Sequence, residues 1–175
     1  MSLTKRKPTR LNGYDYSAPG AYFITICTYN RRKILSEIVG DVHERPAIQL
    51  TQYGILANEI IKKIPERFNV KIDKYVIMPN HIHLLISLPA NSIRDERASP
   101  LQSKQHSVIA NIVGYLKMNV TKKIHEINKN EIVWQRLSND HIIRGENDYQ
   151  KIWEYIDTNT LKWELDCFYN SETER

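Results

Sequence analysis

The pattern of apolar positions switches period several times along the chain, and each switch marks an element. Tyr22-Phe23-Ile24-Thr25-Ile26-Cys27-Thr28 is β-branched and aromatic, follows Pro19-Gly20 and runs into a basic turn at residues 30–33, which predicts a first strand. Leu56, Ile60 and Ile64 then recur at four-residue steps with Ile61 beside them, which predicts a helix over residues 52–64 that stops at Pro65. Val70 and Ile72 alternate with Lys71 and Asp73 and continue into Tyr75-Val76-Ile77-Met78; Pro79-Asn80 then turns the chain into residues 81–88, so a β-hairpin is expected. Residues 89–105, rich in Asn, Ser, Arg and Gln, read as a loop. Beyond it, Val108, Ile112, Leu116, Val120 and Ile124 repeat every four residues and predict a long amphipathic helix. A short strand at residues 141–144 follows, and then a final helix over residues 147–159, with Asn147 read as its N-cap and Gln150 three residues on.

The order β-α-β-β-α-β-α is that of a ferredoxin-like, split βαβ antiparallel sheet with an added C-terminal helix, an α+β fold. Its helices cover one sheet face and leave the other open. The strand at residues 81–88 agrees: Ile82, Leu84, Ile86 and Leu88 take one side in unbroken alternation, and His81, His83, Leu85 and Ser87 take the other. The two histidines therefore point away from the main core. The 175 residues contain no Gly/Ser or Pro-rich linker, so one domain is expected, preceded by a basic arm over residues 1–20.

Composition adds bounds. No apolar run approaches the length that spans a bilayer, and the first residues lack the apolar region of a secretory signal, so a soluble, cytoplasmic chain without membrane partners is expected. Two cysteines build neither a disulfide framework nor a Cys-rich zinc site. The net charge of +5 suits a polyanion only weakly. More telling is its distribution, since clusters such as Arg31-Arg32-Lys33 lie beside tyrosines, a mixture that suits single-stranded nucleic acid.

Candidate chemistry begins with His81 and His83. Side chains two apart on a strand share a face, about 7 Å apart at their Cα atoms, and converge on one cation. By itself this is half a site, and such pairs are as often surface residues. The last helix supplies the remainder: Tyr155 and Asn159 are four apart and share a face, beside an apolar stripe of Ile152 and Ile156 that would dock the helix on the open sheet face. Asn159 then offers an amide oxygen as third ligand, and Tyr155 a hydroxyl as nucleophile, although a packing role for Tyr155 is the commoner use of such a residue. His141, on an edge strand, reads as structural.

The stretch Tyr75-Val76-Ile77-Met78-Pro79-Asn80-His81-Ile82-His83-Leu84-Leu85-Ile86 resembles the signature strand of HUH-type single-tyrosine transposases, especially the REP-associated tyrosine transposases. Upstream, residues 13–17 and 20–28 resemble the family's opening; downstream, residues 133–136, 140–144, 155–159 and 163–166 resemble its closing block. The family's helix usually continues Asn-Pro, whereas Asn159 precedes Thr160. The resemblance implies that His81, His83 and Asn159 bind Mg2+ or Mn2+, and that Tyr155 attacks DNA to form a 5′-phosphotyrosine. It implies single-stranded DNA with hairpin structure as partner, and the basic cluster of Arg31, Arg32 and Lys33 is expected to contact its phosphates. Dimers with tyrosines donated in trans and monomers working in cis both occur in that family, so a homodimer is among the assemblies implied. Two rivals remain at this level: a non-catalytic single-stranded nucleic-acid-binding ferredoxin-like module, and a metallohydrolase that uses water in place of the tyrosine.

Overall fold

The structure, a computed structural model, describes residues 13–40, 46–89, 107–166 and 169. Its centre is a four-stranded antiparallel sheet of β1 (Gly20–Cys27), β4 (Lys71–Met78), β5 (His81–Leu88) and β6 (Asn139–Ile142), in the order β4-β5-β1-β6. This is the ferredoxin-like order: the first strand and the strand after the first helix are separated by the third, which pairs with both. One sheet face is covered by α1 (Gln52–Phe68) and α2 (Val108–His125), and α3 (Glu146–Thr158) packs on the other. No helix among the described residues is long and apolar enough to cross a membrane.

The alternation read in the sequence is realised on both central strands. Tyr22, Ile24 and Ile26 of β1 and Ile82, Leu84, Ile86 and Leu88 of β5 enter the main core with Ile60, Ile61 and Ile64 of α1 and Ile109, Ile112, Leu116 and Val120 of α2. Across the sheet, Val76, Met78, Leu85, Ile156 and Trp163 form a second, smaller core, with Phe23, Ile38, Ile48 and Ile152 packed against it.

Four expectations need correction. The first helix does not stop at Pro65 but runs through it to Phe68 and ends where Asn69 takes a left-handed conformation (φ 49°). Proline inside a helix forfeits one hydrogen bond at up to about 3 kcal/mol; burying Phe68, four residues beyond Ile64, on the ring of Tyr115 offsets this. A two-stranded sheet, β2 (Ser36–Val39) with β3 (Ala47–Leu50), stands between β1 and α1 where no element was expected. Ser36 Oγ donates to the Ile77 carbonyl at 2.8 Å and ties this hairpin to β4. The last strand, Asn139–Ile142, starts two residues earlier than residues 141–144, because it pairs with Tyr22–Thr25 of β1. Lastly, Asn147 is not an N-cap: Gly145, at φ 110°, turns the chain directly into α3 at Glu146. Asp148 closes that turn, accepting from the Arg144 N–H at 3.0 Å and from His141 Nε2 at 2.9 Å, which gives His141 a structural partner. Except for Pro89, the loop expected over residues 89–105 lies outside the described residues, as does most of the basic arm.

Candidate metal and nucleophile site

His81 and His83 sit on a strand paired on both sides, which fixes their positions more rigidly than a loop would. Thr25 of β1 lies opposite His83, and its Oγ1 is 2.9 Å from His83 Nδ1. His81 Nδ1 lies 2.8 Å from Asn80 Oδ1, and because an amide oxygen only accepts, the proton is on Nδ1 and Nε2 carries the lone pair. The same state on His83, Nδ1–H donated to Thr25, leaves its Nε2 as a ligand atom too. The two rings are 4.4 Å apart at their centroids and almost wholly buried.

Burial also fixes their charge. It pushes His83 down to about 3, with the Asp166 carboxylate opposing weakly. His81 is held well below the ordinary imidazole range by burial, by His83 and by the positive charge of Arg31. Both imidazoles are therefore neutral at physiological pH, the form that binds metal.

Helix α3 brings the sequence-predicted partners over this pair. Ile156 is buried and Ile152 packs beside it, while Lys74 of β4 holds Asp157 at 2.6 Å. Tyr155 Oη thereby lies 3.3 Å from His83 Nε2, its ring edge-on to Phe23 and still 37 % exposed. Asn159 is buried; its Oδ1 has no hydrogen-bond partner, while its Nδ2 donates to Asp166 Oδ2 at 3.1 Å. A buried carbonyl oxygen without a donor is costly unless something electropositive meets it, so the donor set fits a cation. Ligand atoms of His81, His83 and Asp166 also lie within 4.8 Å of one another, a group able to hold a metal ion. Two imidazole nitrogens with the Asn159 amide oxygen suit Mn2+ or Mg2+, which keep further positions for water or phosphate oxygens.

Sequence reasoning missed Asp166, Thr25 and Asn80. Asp166 belongs to the block at residues 163–166 that carries the family resemblance, yet no periodicity assigns it to the site. Thr25 and Asn80 are ordinary strand and turn residues until the register is known. The three residues of the basic trio have different surroundings. Arg31 acts electrostatically on His81, Arg32 forms an ion pair with Glu131 and donates to the Ile132 carbonyl at 2.6 Å, and Lys33 lies over the ring of Tyr169. Asn30 and Arg31 both adopt left-handed backbone, φ 50° and 57°, in the turn Tyr29–Arg31 that follows β1.

A split βαβ sheet with paired histidines on its central strand, faced by a tyrosine-bearing helix, is the arrangement of a transposase fold. The model of the IS200-like transposase family matches residues 20–96, from the start of β1 past the end of β5, so this stretch of the chain is similar to that family. Within it, the likeness is to the REP-associated tyrosine transposases. A Haemophilus influenzae protein of unassigned function is 36 % identical over 172 residues, covering 94 % of this chain and 93 % of that one. A second protein of that organism, named for the REP-associated tyrosine transposases, is 27 % identical over 158 residues, covering 85 % and 74 %. A REP-associated tyrosine transposase solved bound to a REP hairpin shares the fold with a TM-score of 0.56 at 19 % identity, covering 95 % of this chain and 76 % of that one.

Proposed function

We propose that this chain is a transposase that cuts and rejoins single-stranded DNA through Tyr155. The reading rests on one geometric fact, the Tyr155 hydroxyl 3.3 Å from His83 Nε2 above a buried, neutral histidine pair. In the forward step, Tyr155 Oη forms a bond to phosphorus as the P–O3′ bond breaks; the hydroxyl proton leaves, and the departing oxygen gains one to become a 3′-hydroxyl. The product is a 5′-phosphotyrosine with the ester energy retained, so a second 3′-hydroxyl reverses the step and joins strands. A tyrosine with its ordinary pKa near 10 is a poor nucleophile at neutral pH. A divalent ion held by His81, His83 and Asn159 would polarise the phosphate and stabilise developing charge.

The chain's own residues do the rest. Asn80 and Thr25 hold the imidazole rings, Phe23 backs the tyrosine ring, and burial keeps both histidines unprotonated. Arg31, Arg32 and Lys33 contact phosphates in this reading, and the charge of Arg31 is felt at His81. The hairpin bound by the structural relative supports a single-stranded DNA hairpin as substrate here.

The test is a labelled single-stranded hairpin mixed with the protein and Mn2+, then denatured. Wild type is expected to give a covalent protein–DNA adduct and Tyr155→Phe none. Adduct formation by the phenylalanine variant at the wild-type level would refute the assignment, and a metallohydrolase would release cut DNA without any adduct.

A further inference from the structure

One carboxylate oxygen touches both Tyr155 of α3 and Asn159, the residue that caps its C-terminus. Tyr155 Oη donates to Asp166 Oδ2 at 3.2 Å, and Asn159 Nδ2 donates to the same atom at 3.1 Å. The spacing makes this feasible, because residues four apart stand one turn above each other and an acceptor set between them reaches both. The acceptor arrives from beyond the helix. Trp163 is buried in the smaller core with its ring 5.9 Å from that of His81, and the single 3-10 turn Trp163–Leu165 ends with Asp166 N–H donating to the Trp163 carbonyl. Leu165 meanwhile faces solvent at 86 % exposure, so the short turn spends its apolar residue outward and directs Asp166 to the site.

We propose that Asp166 is a positioning residue that sets the Tyr155 hydroxyl and the Asn159 amide together through its Oδ2. The inference rests on the roles of Tyr155 and Asn159 given above. An amide has a donor end and an acceptor end, and which one faces a cation decides whether the contact is attractive. With Nδ2 committed to Asp166, Oδ1 turns the other way and is buried there without a hydrogen-bond partner. The flipped amide would set its oxygen against the carboxylate and its NH2 toward the ion, two repulsive contacts in place of two attractive ones. The same atom anchors the nucleophile, whose exposed ring would otherwise sample several rotamers.

The variants Asp166→Ala and Asp166→Asn separate this from its alternatives, using the full chain and a hairpin oligonucleotide that wild type converts to adduct. Three quantities are measured: adduct formation rate at saturating DNA, hairpin affinity, and Mn2+ affinity without DNA from the electron paramagnetic resonance signal of unbound ion. Asp166→Ala is expected to slow adduct formation by about tenfold or more with hairpin affinity within about twofold, because only the orientation of the reacting groups changes. Its Mn2+ affinity is expected to fall as well. Asp166→Asn keeps an acceptor oxygen for both donors and is expected to recover most of each loss. Wild-type behaviour of Asp166→Ala would overturn the proposal, as would a rate loss matched by lost hairpin affinity. Equal impairment of the two variants would also overturn it, since it would assign the carboxylate's charge to the ion itself. Asp166→Ser supplies a second truncation if the alanine variant folds poorly. Failure of Tyr155→Phe to abolish the adduct would instead refute the underlying tyrosine reading, so the two failures are distinguishable.

Discussion

Replacing Thr25 with valine isolates the hydrogen bond that orients His83. Valine matches threonine in shape and suits a central strand, so the backbone of β1 has no reason to move. What disappears is Oγ1, 2.9 Å from His83 Nδ1, at a position where both residues are buried. Leaving one ring nitrogen desolvated without that partner costs about 1–3 kcal/mol, and the added buried methyl returns about 0.8 kcal/mol. The net destabilisation, between about 0.2 and 2.2 kcal/mol, corresponds to a lowering of Tm by no more than about 9 °C in a chain of this size. Metal affinity should suffer more, because a partner that fixes the tautomer and orientation of a metal-binding histidine is commonly worth about 10–100-fold. Thermal unfolding without metal and a Mn2+ titration at pH 7.5 measure the two effects, and Thr25→Ser, which restores the hydroxyl, should restore the affinity. A Thr25→Val protein with unaltered Mn2+ affinity would refute the reading that this bond aims Nε2 into the site.

The neutral histidine pair predicts a specific pH dependence. Both are depressed in the folded state, so their contribution is fully present above the ordinary value of 6.5 and is lost as pH falls, down to about 3 for His83; each contributes a slope of about 1.4 kcal/mol per pH unit. Urea midpoints at pH 7 and pH 5, above most carboxylate titrations, should show the fall, and equal midpoints would contradict it. Gly54 gives an opposite-signed test of packing: a Cβ there would lie 1.9 Å from the Leu35 carbonyl oxygen. Helix propensity alone makes Gly54→Ala stabilising by about 1 kcal/mol, whereas the backbone clash predicts destabilisation by about 3 kcal/mol or more; a raised urea midpoint would mean that α1 and the chain at Leu35 are not so close.

Legibility followed the length and regularity of each pattern. The α1, α2 and β5 stripes repeat over many residues and face one core, so their periods are unambiguous, and the sequence alone distinguishes the two sides of β5. The β2–β3 hairpin has four residues per strand and alternates weakly, with Ser36 rather than an apolar residue at its most buried position, and a pattern so short carries no period. Pro65 misled because the local rule against proline is sound on average, yet the burial of Phe68 three residues later decides the outcome. At the site, His81, His83, Tyr155 and Asn159 were visible because each pair obeys a fixed spacing on a regular element. Thr25 and Asn80 were not, because their roles depend on cross-strand register and turn geometry rather than on spacing.

Asp166 marks the limit of that kind of inference. It lies 11 residues beyond Tyr155 and seven beyond Asn159, outside both α3 and its C-cap. Reaching them requires the chain to leave α3, bury Trp163 against the His81 ring and reverse within a single 3-10 turn. None of these steps has a periodic signature. The burial of one tryptophan thus does double service: it completes the smaller core under α3 and fixes where the following carboxylate lands. Stability and site geometry are coupled at this point, and the spacing of residues within any one element does not encode that coupling.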